Sequence, residues 1–290
     1  MLVQLSQFSC GGIAIAASLS HRIADASTLL SFLIYWASLT RNSSDEDKLV
    51  HLHPWFVHDL LPAGSFDDDL AAPQFVIPEK NWITREITFH NSKIAELRAE
   101  LEFKDKVHGV EGDVNYTRND LVTAILYRCL VAAASSNSGV HHKSVLLQVV
   151  NMRPLIDRPL PKTSVGNLVT LNPVLTSTMS ETELKPLVCR MREGRTKLRG
   201  KEIDRVVDKY IKMNCKGYVF SSICNLPIYD EMDFGWGRPA KATIVDTPFV
   251  NAIIMMDTPC RDGIKAIVAL EEEDMKNFLV NKELRTYASV

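Results

Sequence analysis

The chain has 290 residues, a formal net charge of -2, and a composition that is 46% hydrophobic and 23% charged. That balance suits one large or two medium domains with a sizeable core, so neither disulfides nor a metal is needed to hold the chain together. No basic block stands out and no aromatics interleave with Lys or Arg, which excludes nucleic acid and an anionic membrane as expected partners.

Residues 2–8 alternate in hydrophobicity and predict a half-buried strand. Cys10-Gly11-Gly12 breaks it, and residues 13–19 predict a second strand. No Lys or Arg precedes this apolar stretch, and Gly11, Gly12, Ser18, Ser20 and His21 interrupt it, so it is not a signal peptide. The run at 29–39 is too short and too broken by Ser to span a bilayer. A domain that opens inside a hairpin is expected to lack preceding elements, and Met1 therefore reads as an internal or gene-model start.

Asp25 and Ser27 are candidate caps for a helix to about residue 38, apolar on most faces and expected to be deeply buried. Residues 41–80 read as a long loop rich in Pro and Asp. A strand is predicted at 82–89, then an amphipathic helix opened by Asn91 and Ser92. The polar loop 104–116 is a candidate domain boundary. A helix follows at 120–134, strands at 144–151 and 168–175, and an irregular Pro-containing stretch between them. Ser180-Glu181-Thr182-Glu183 matches a capping box for a long helix to about residue 213. Strands are predicted at 219–223, 243–245, 251–256 and 264–270. Asp262-Gly263 is expected to supply the positive φ of a hairpin turn, and a terminal helix is predicted at 271–279. Strands and helices mixed in this way, with hairpins late in the chain, predict an α/β or α+β fold with mixed sheets.

The six cysteines, Cys10, Cys129, Cys189, Cys215, Cys224 and Cys260, form no C-x-x-C pair and have no His at zinc-ligand spacing. They read as reduced thiols of a cytosolic protein. His51, His53 and His58 cluster loosely, as do His141 and His142, without a carboxylate spaced for a metal; no metal site is expected. There is no G-x-S-x-G elbow, no G-x-G-x-x-G and no Walker loop, which argues against a serine hydrolase and against those nucleotide sites.

Two motifs remain. His21-Arg22-Ile23-Ala24-Asp25 lies where a strand gives way to a helix, a position that favours function. Read alone, it is also satisfied by Asp25 as a helix cap and His21 as a structural histidine. Asp233-Phe234-Gly235-Trp236-Gly237 places two glycines around a Trp and predicts a tight corner that could wall a pocket.

Together, HxxxD at His21–Asp25 and DFGWG at Asp233–Gly237 resemble the double signature of the plant BAHD acyltransferases. Asn151-Met152-Arg153-Pro154, Pro159-Leu160-Pro161, Gly166-Asn167 and Thr117-Arg118-Asn119-Asp120 are similar to further pieces of that family. The tail and spacing look most like its vinorine-synthase-like, acetyl-CoA-using branch. Ala26, Ile223 and Asn225 depart from the family pattern, and one extra residue lies between Tyr229 and Asp233.

The resemblance implies a two-domain, chloramphenicol-acetyltransferase-like α/β fold, mixed sheets flanked by helices. Its first domain would be incomplete, because full-length members carry a further N-terminal stretch about half as long as this chain. Residues 1–105 would be the remainder of the first domain and 106–290 the second, with some strands crossing between them. The resemblance further implies a cytoplasmic, monomeric enzyme that binds no cofactor and takes acyl-CoA, acetyl-CoA above all, as co-substrate. Its partner would be a small-molecule alcohol or amine, such as an alkaloid. His21 would be the general base, since imidazole titrates near neutral pH. Asp25 would be structural, paired with Arg153, and the DFGWG corner structural, with Trp236 or a nearby N–H as a candidate oxyanion donor. The rival expectation is a truncated, catalytically silent member of the same family.

Overall fold

A computed structural model describes residues 1–41, 53–57, 81–107, 115–140, 142–158, 160–200, 215–245, 247 and 249–290. In chain order, β1 (Leu2–Gln7) and β2 (Ile13–Ser18) form an antiparallel hairpin followed by α1 (Ala26–Arg41). Next come β3 (Trp55–Phe56), β4 (Trp82–His90), α2 (Asn91–Val107), α3 (Arg118–Ser138) and β5 (Ser144–Asn151). Then follow β6 (Ser164–Val165), β7 (Val169–Thr176), α4 (Leu184–Lys197), β8 (Lys216–Ser222) and α5 (Ile228–Glu231). The chain closes with β9 (Ala252–Asp257), β10 (Gly263–Glu271), α6 (Glu272–Leu279) and α7 (Lys282–Tyr287).

Six strands form one mixed sheet in the order β4-β10-β9-β8-β5-β7. The inner pairs β9–β8 and β8–β5 are parallel, and the outer pairs are antiparallel. Parallel strands are covered on both faces, so this centre must be buried twice over. On one face α3 supplies Leu121, Ile125, Leu126 and Leu130 to a large core with Tyr218, Phe220, Ile253 and Val268. On the other, Ile34 of α1 meets Ile223, Ile228, Tyr229, Met232, Met256 and Ile267 in a smaller cluster. The two clusters alternate along β10, with Ile264, Ala266 and Val268 on one side and Ile267 on the other. Local signals set the boundaries of α3: the Thr117 hydroxyl accepts from the Asp120 N–H at 3.1 Å, and Gly139 ends the helix at φ 68°. Pro173 sits in β7, at the sheet edge, where its missing N–H costs little.

The mixed α/β architecture agrees with the sequence expectation. Residues 82–107 add β4 and α2 to the same sheet and helix layer as residues beyond 106, a crossing of the expected boundary at 105/106. Several local expectations are corrected. Residues 243–245 form no strand; the Thr243 hydroxyl binds Glu86 and Ile244 packs on the smaller cluster. The capping-box residues form a 3-10 turn, Met179–Thr182, in which Glu181 accepts from the Ser177 N–H, and α4 starts only at Leu184. The predicted helix to residue 213 is described to Lys197; residues 201–214 lie outside the described set, as do 42–52 and 58–80 of the predicted loop and 108–114 of the candidate boundary. Helix α1 is less buried than its composition suggests: Leu29, Leu30, Phe32, Leu33, Tyr35 and Trp36 are only half-buried. Sequence alone did not show β3 and β6, which pair in parallel, nor the short α5 and α7.

At the β9–β10 turn the positive φ falls on Arg261 (53°) and not on Gly263. Gly263 is needed for a different reason: a Cβ there would lie 2.4 Å from the Phe89 carbonyl oxygen of β4. Gly263→Ala is therefore expected to push β4 from β10 and destabilise the fold by about 1–3 kcal/mol. A fall in the urea midpoint measures this; an unchanged midpoint would show that the strand pair yields freely.

Candidate active site

A short turn joins β2 to α1, closed by the Ile23 and Ala24 N–H groups on the Ser20 carbonyl. It carries both ends of the first motif. His21 is exposed on this turn, and Asp25, four residues on, is 4% exposed. Asp25 caps α1: its Oδ1 accepts from the Thr28 N–H at 2.9 Å. Arg153, 3% exposed, closes on the same carboxylate with two bonds, Nη1 to Oδ2 at 2.7 Å and Nη2 to Oδ1 at 3.1 Å. The Leu168 N–H adds a bond to Oδ2 at 3.0 Å.

Arg153 is satisfied on its remaining edges. Its Nε and Nη2 donate to the Ser164 carbonyl at 3.2 and 2.9 Å, and Nη2 also reaches the Thr28 hydroxyl at 3.1 Å. Nη1 reaches Asn151 Oδ1 at 3.2 Å. The Thr28 hydroxyl donates to the Gly166 carbonyl at 2.9 Å and accepts from the Gly166 N–H at 3.1 Å. A buried ion pair is tolerated when its geometry is good and its spare donors and acceptors are used, and both conditions hold. The network stitches three segments together: the turn and α1, the end of β5, and the β6–β7 connection. Its effect is to hold the His21 turn on the body of the protein while the imidazole stays in solvent.

The second motif is also built by a carboxylate. Asp233 Oδ1 accepts from the N–H groups of Gly235 (2.8 Å) and Gly237 (3.0 Å). Both glycines have positive φ, 104° and 113°, and a Cβ on either would touch nothing, so conformation and not space demands Gly here. The two N–H bonds hold the Asp233 carboxyl below its ordinary range. The corner docks on α1: Arg41 donates to the Asp233 carbonyl at 3.1 Å, and Phe234 meets the edge of Trp36 at 5.0 Å between centroids. Trp236 stacks on Phe234 at 5.7 Å and is 59% exposed.

The two motifs thus sit at opposite ends of α1. Trp36 lies about 16 Å along the helix from Asp25 at 1.5 Å per residue. The contacts of the corner among the described residues are with α1 and within itself: Phe234 on Trp36, Trp236 on Phe234, and Arg41 on the Asp233 carbonyl. Asn225, a departure from the family pattern, takes φ 64°, which Asn tolerates, and its N–H donates to Asp257 Oδ2 at 2.6 Å. Ile223, another departure, is buried in the smaller cluster. Thr28, Ser164 and Leu168 carried no sequence signal of a role; Asn151 and Gly166-Asn167 stood out only as pieces of a resemblance.

No group of three His, Cys, Asp or Glu among the described residues could hold a metal. His53 lies against Tyr35, 5.9 Å between rings, while His51, His58 and His141 fall outside the described residues. A groove of about 400 Å³ runs between β7 and α4, lined by Asn172, Arg190, Glu193 and Lys197; neither motif lines it. No helix of the described residues is long and apolar enough to cross a membrane.

Known proteins resemble the chain along its whole length. A family model described as the Transferase family matches residues 1–285. Diaboline synthase of Strychnos sp. is 34% identical over 308 residues, covering 100% of this chain and 64% of the relative. An enzyme of Strychnos nux-vomica named 17,18-epoxy-17-hydroxycur-19-ene N-malonyltransferase is 34% identical over 307 residues, covering 100% of this chain and 62% of that protein. Among solved structures, vinorine synthase superposes with a TM-score of 0.74 at 27% identity, over 99% of this chain and 65% of that one. The chain therefore spans just under two thirds of the length of these relatives.

Two outcomes follow from this geometry. Arg153→Met strands a buried carboxylate and is expected to cost about 3–5 kcal/mol; chemical denaturation reads it, and a loss under half of that would mean the pair is not what anchors the turn. For Asp233, a depressed carboxyl contributes order that is present above its unfolded value and lost as pH falls through the lowered folded value. The Gly235 and Gly237 amide resonances should therefore hold down to a pH below the ordinary carboxylate range and then move together. Movement already above that range would contradict the assigned bonds.

Proposed function

Because the chain belongs to the BAHD acyltransferase family, we propose that it transfers an acyl group from a CoA thioester to the hydroxyl, or amine, of a small plant metabolite. The reading further takes acetyl-CoA as the donor, an alkaloid or related alcohol as the acceptor, and a cytoplasmic monomer as the working form. Residues 1–105 and 106–290 contribute to two lobes, with β4 and α2 crossing over.

The observation that carries the proposal is the buried Asp25–Arg153 pair beneath an exposed His21. The pair occupies Asp25 completely, which leaves it no part in proton transfer. His21 has no hydrogen bond from its ring among the described residues and is free to meet a substrate. In the proposed step the imidazole takes the proton of the acceptor hydroxyl as its oxygen attacks the thioester carbonyl carbon. The tetrahedral intermediate then expels the CoA thiolate, which recovers a proton and leaves as free thiol. No covalent acyl-enzyme is required, so transfer is direct within a ternary complex.

A second reading, a chain that is folded but silent alone, is favoured by a specific observation. The β1–β2 hairpin that leads to His21 leaves Leu2 77% and Leu5 62% exposed, apolar surface that no described residue covers. One assay separates the two readings: free thiol is followed with acetyl-CoA and malonyl-CoA against alcohols and amines, for the wild type and His21→Ala. Thiol release that depends on an acceptor and falls at least a hundredfold in the variant is expected. Acceptor-dependent turnover that survives His21→Ala would remove the base assignment, and no release from either protein would favour the silent form.

A further inference from the structure

We infer that Asn167 is a positioning residue for the His21 imidazole; this rests on the reading of His21 as the base. The β6–β7 connection reaches the motif through three consecutive residues. The Gly166 carbonyl accepts from the Asp25 N–H at 3.3 Å, and the Leu168 N–H donates to the Asp25 carboxylate. Between them, Asn167 Nδ2 donates to the main-chain carbonyl of His21 at 2.5 Å. The outer two bonds fix Asp25. The middle one is the bond that reaches His21 itself.

That carbonyl sets the backbone angle following the His21 Cα. The preceding side of the turn is already held by the Ser20 carbonyl. With both flanking peptides pinned, the Cα–Cβ direction of His21 is set, and an exposed ring without a side-chain bond is aimed by its backbone. The orientation of the amide is settled by chemistry: turned over, it would set its oxygen against the His21 oxygen, two acceptors face to face.

The other half of the amide argues against a stabilising role. Asn167 Oδ1 is buried and has no partner. A buried acceptor left unpaired works against folding, and such a group in a native structure asks for a functional reason. The residue gives up stability on one side of its amide and holds the turn of the proposed base on the other. Removing the side chain should therefore leave the fold standing and loosen His21.

The test compares Asn167→Ala and Asn167→Asp with the wild type by thermal melting, by the His21 ring resonance in NMR, and by thiol-release kinetics. Asn167→Ala should melt within about 3 °C of wild type. It should shift or broaden the His21 ring signal and lower kcat at least tenfold, with KM within about twofold. Asn167→Asp keeps the shape but donates only when protonated, so its deficit should shrink as pH falls and its kcat profile should shift to acid. An unmoved His21 signal overturns the inference, as does a kcat loss matched by a large loss of melting temperature. The ring signal needs no turnover. A displaced ring in Asn167→Ala, beside acyl transfer that survives His21→Ala, would uphold the positioning while sinking the base reading; an undisturbed ring with full activity in Asn167→Ala, beside a dead His21→Ala, would do the reverse.

Discussion

The ion pair between Asp25 and Arg153 is the constraint on which the rest of this molecule turns. Two charges are taken out of water, and the fold answers with a donor or acceptor for every atom of both groups. Alone, such a pair is poor evidence of stability, since an apolar replacement of similar shape often does as well. What it supplies is location. Its partners come from three distant stretches of chain, and they can meet in one arrangement only. The chain between Ser20 and Thr28 is thereby fixed, and the exposed His21 inherits that fixity.

Helix α1 extends the constraint. At one end it is capped by Asp25; at the other its Trp36 and Arg41 receive the Asp233–Gly237 corner. Between them Ile34 anchors the helix on the sheet face formed by Met256 and Ile267. The two sequence signatures, far apart in the chain, are the two ends of one element. Their roles differ accordingly. The first presents an imidazole to solvent, while the second spends its carboxylate on its own backbone and Phe234 on the helix, with Trp236 stacked outside it.

Much of this was legible in the sequence, and the reasons are specific. Alternation in 82–89 is a strong signal because one side of that edge strand is buried while Arg85 and Glu86 are exposed, and the apolar runs at 144–151 and 264–270 are strong signals because both faces of those strands are buried. The pairing of Asp25 with Arg153 was expected from family resemblance, not from spacing, because 128 residues separate them. Local propensity failed where tertiary contacts decided. Thr243 and Ile244 look like a strand, but the neighbours of β9 and β10 are already taken by β8 and β4. Gly263 follows an Asp and looks like a turn glycine, yet its task is to let β4 approach. Asn167 gave no clue to its contact, since its partner is a main-chain oxygen, and main-chain atoms leave no trace in residue identity.

The placement of Asp25 at the very start of α1 has a mechanical corollary. A rod clamped at one tip moves by swinging, and the clamped tip hardly travels. A displacement of 1 Å at Trp36, with an arm of about 16 Å, amounts to a swing of about 4°. Disturbance at the aromatic corner would then arrive at the imidazole as a faint rotation, because the ring rides beside the fulcrum.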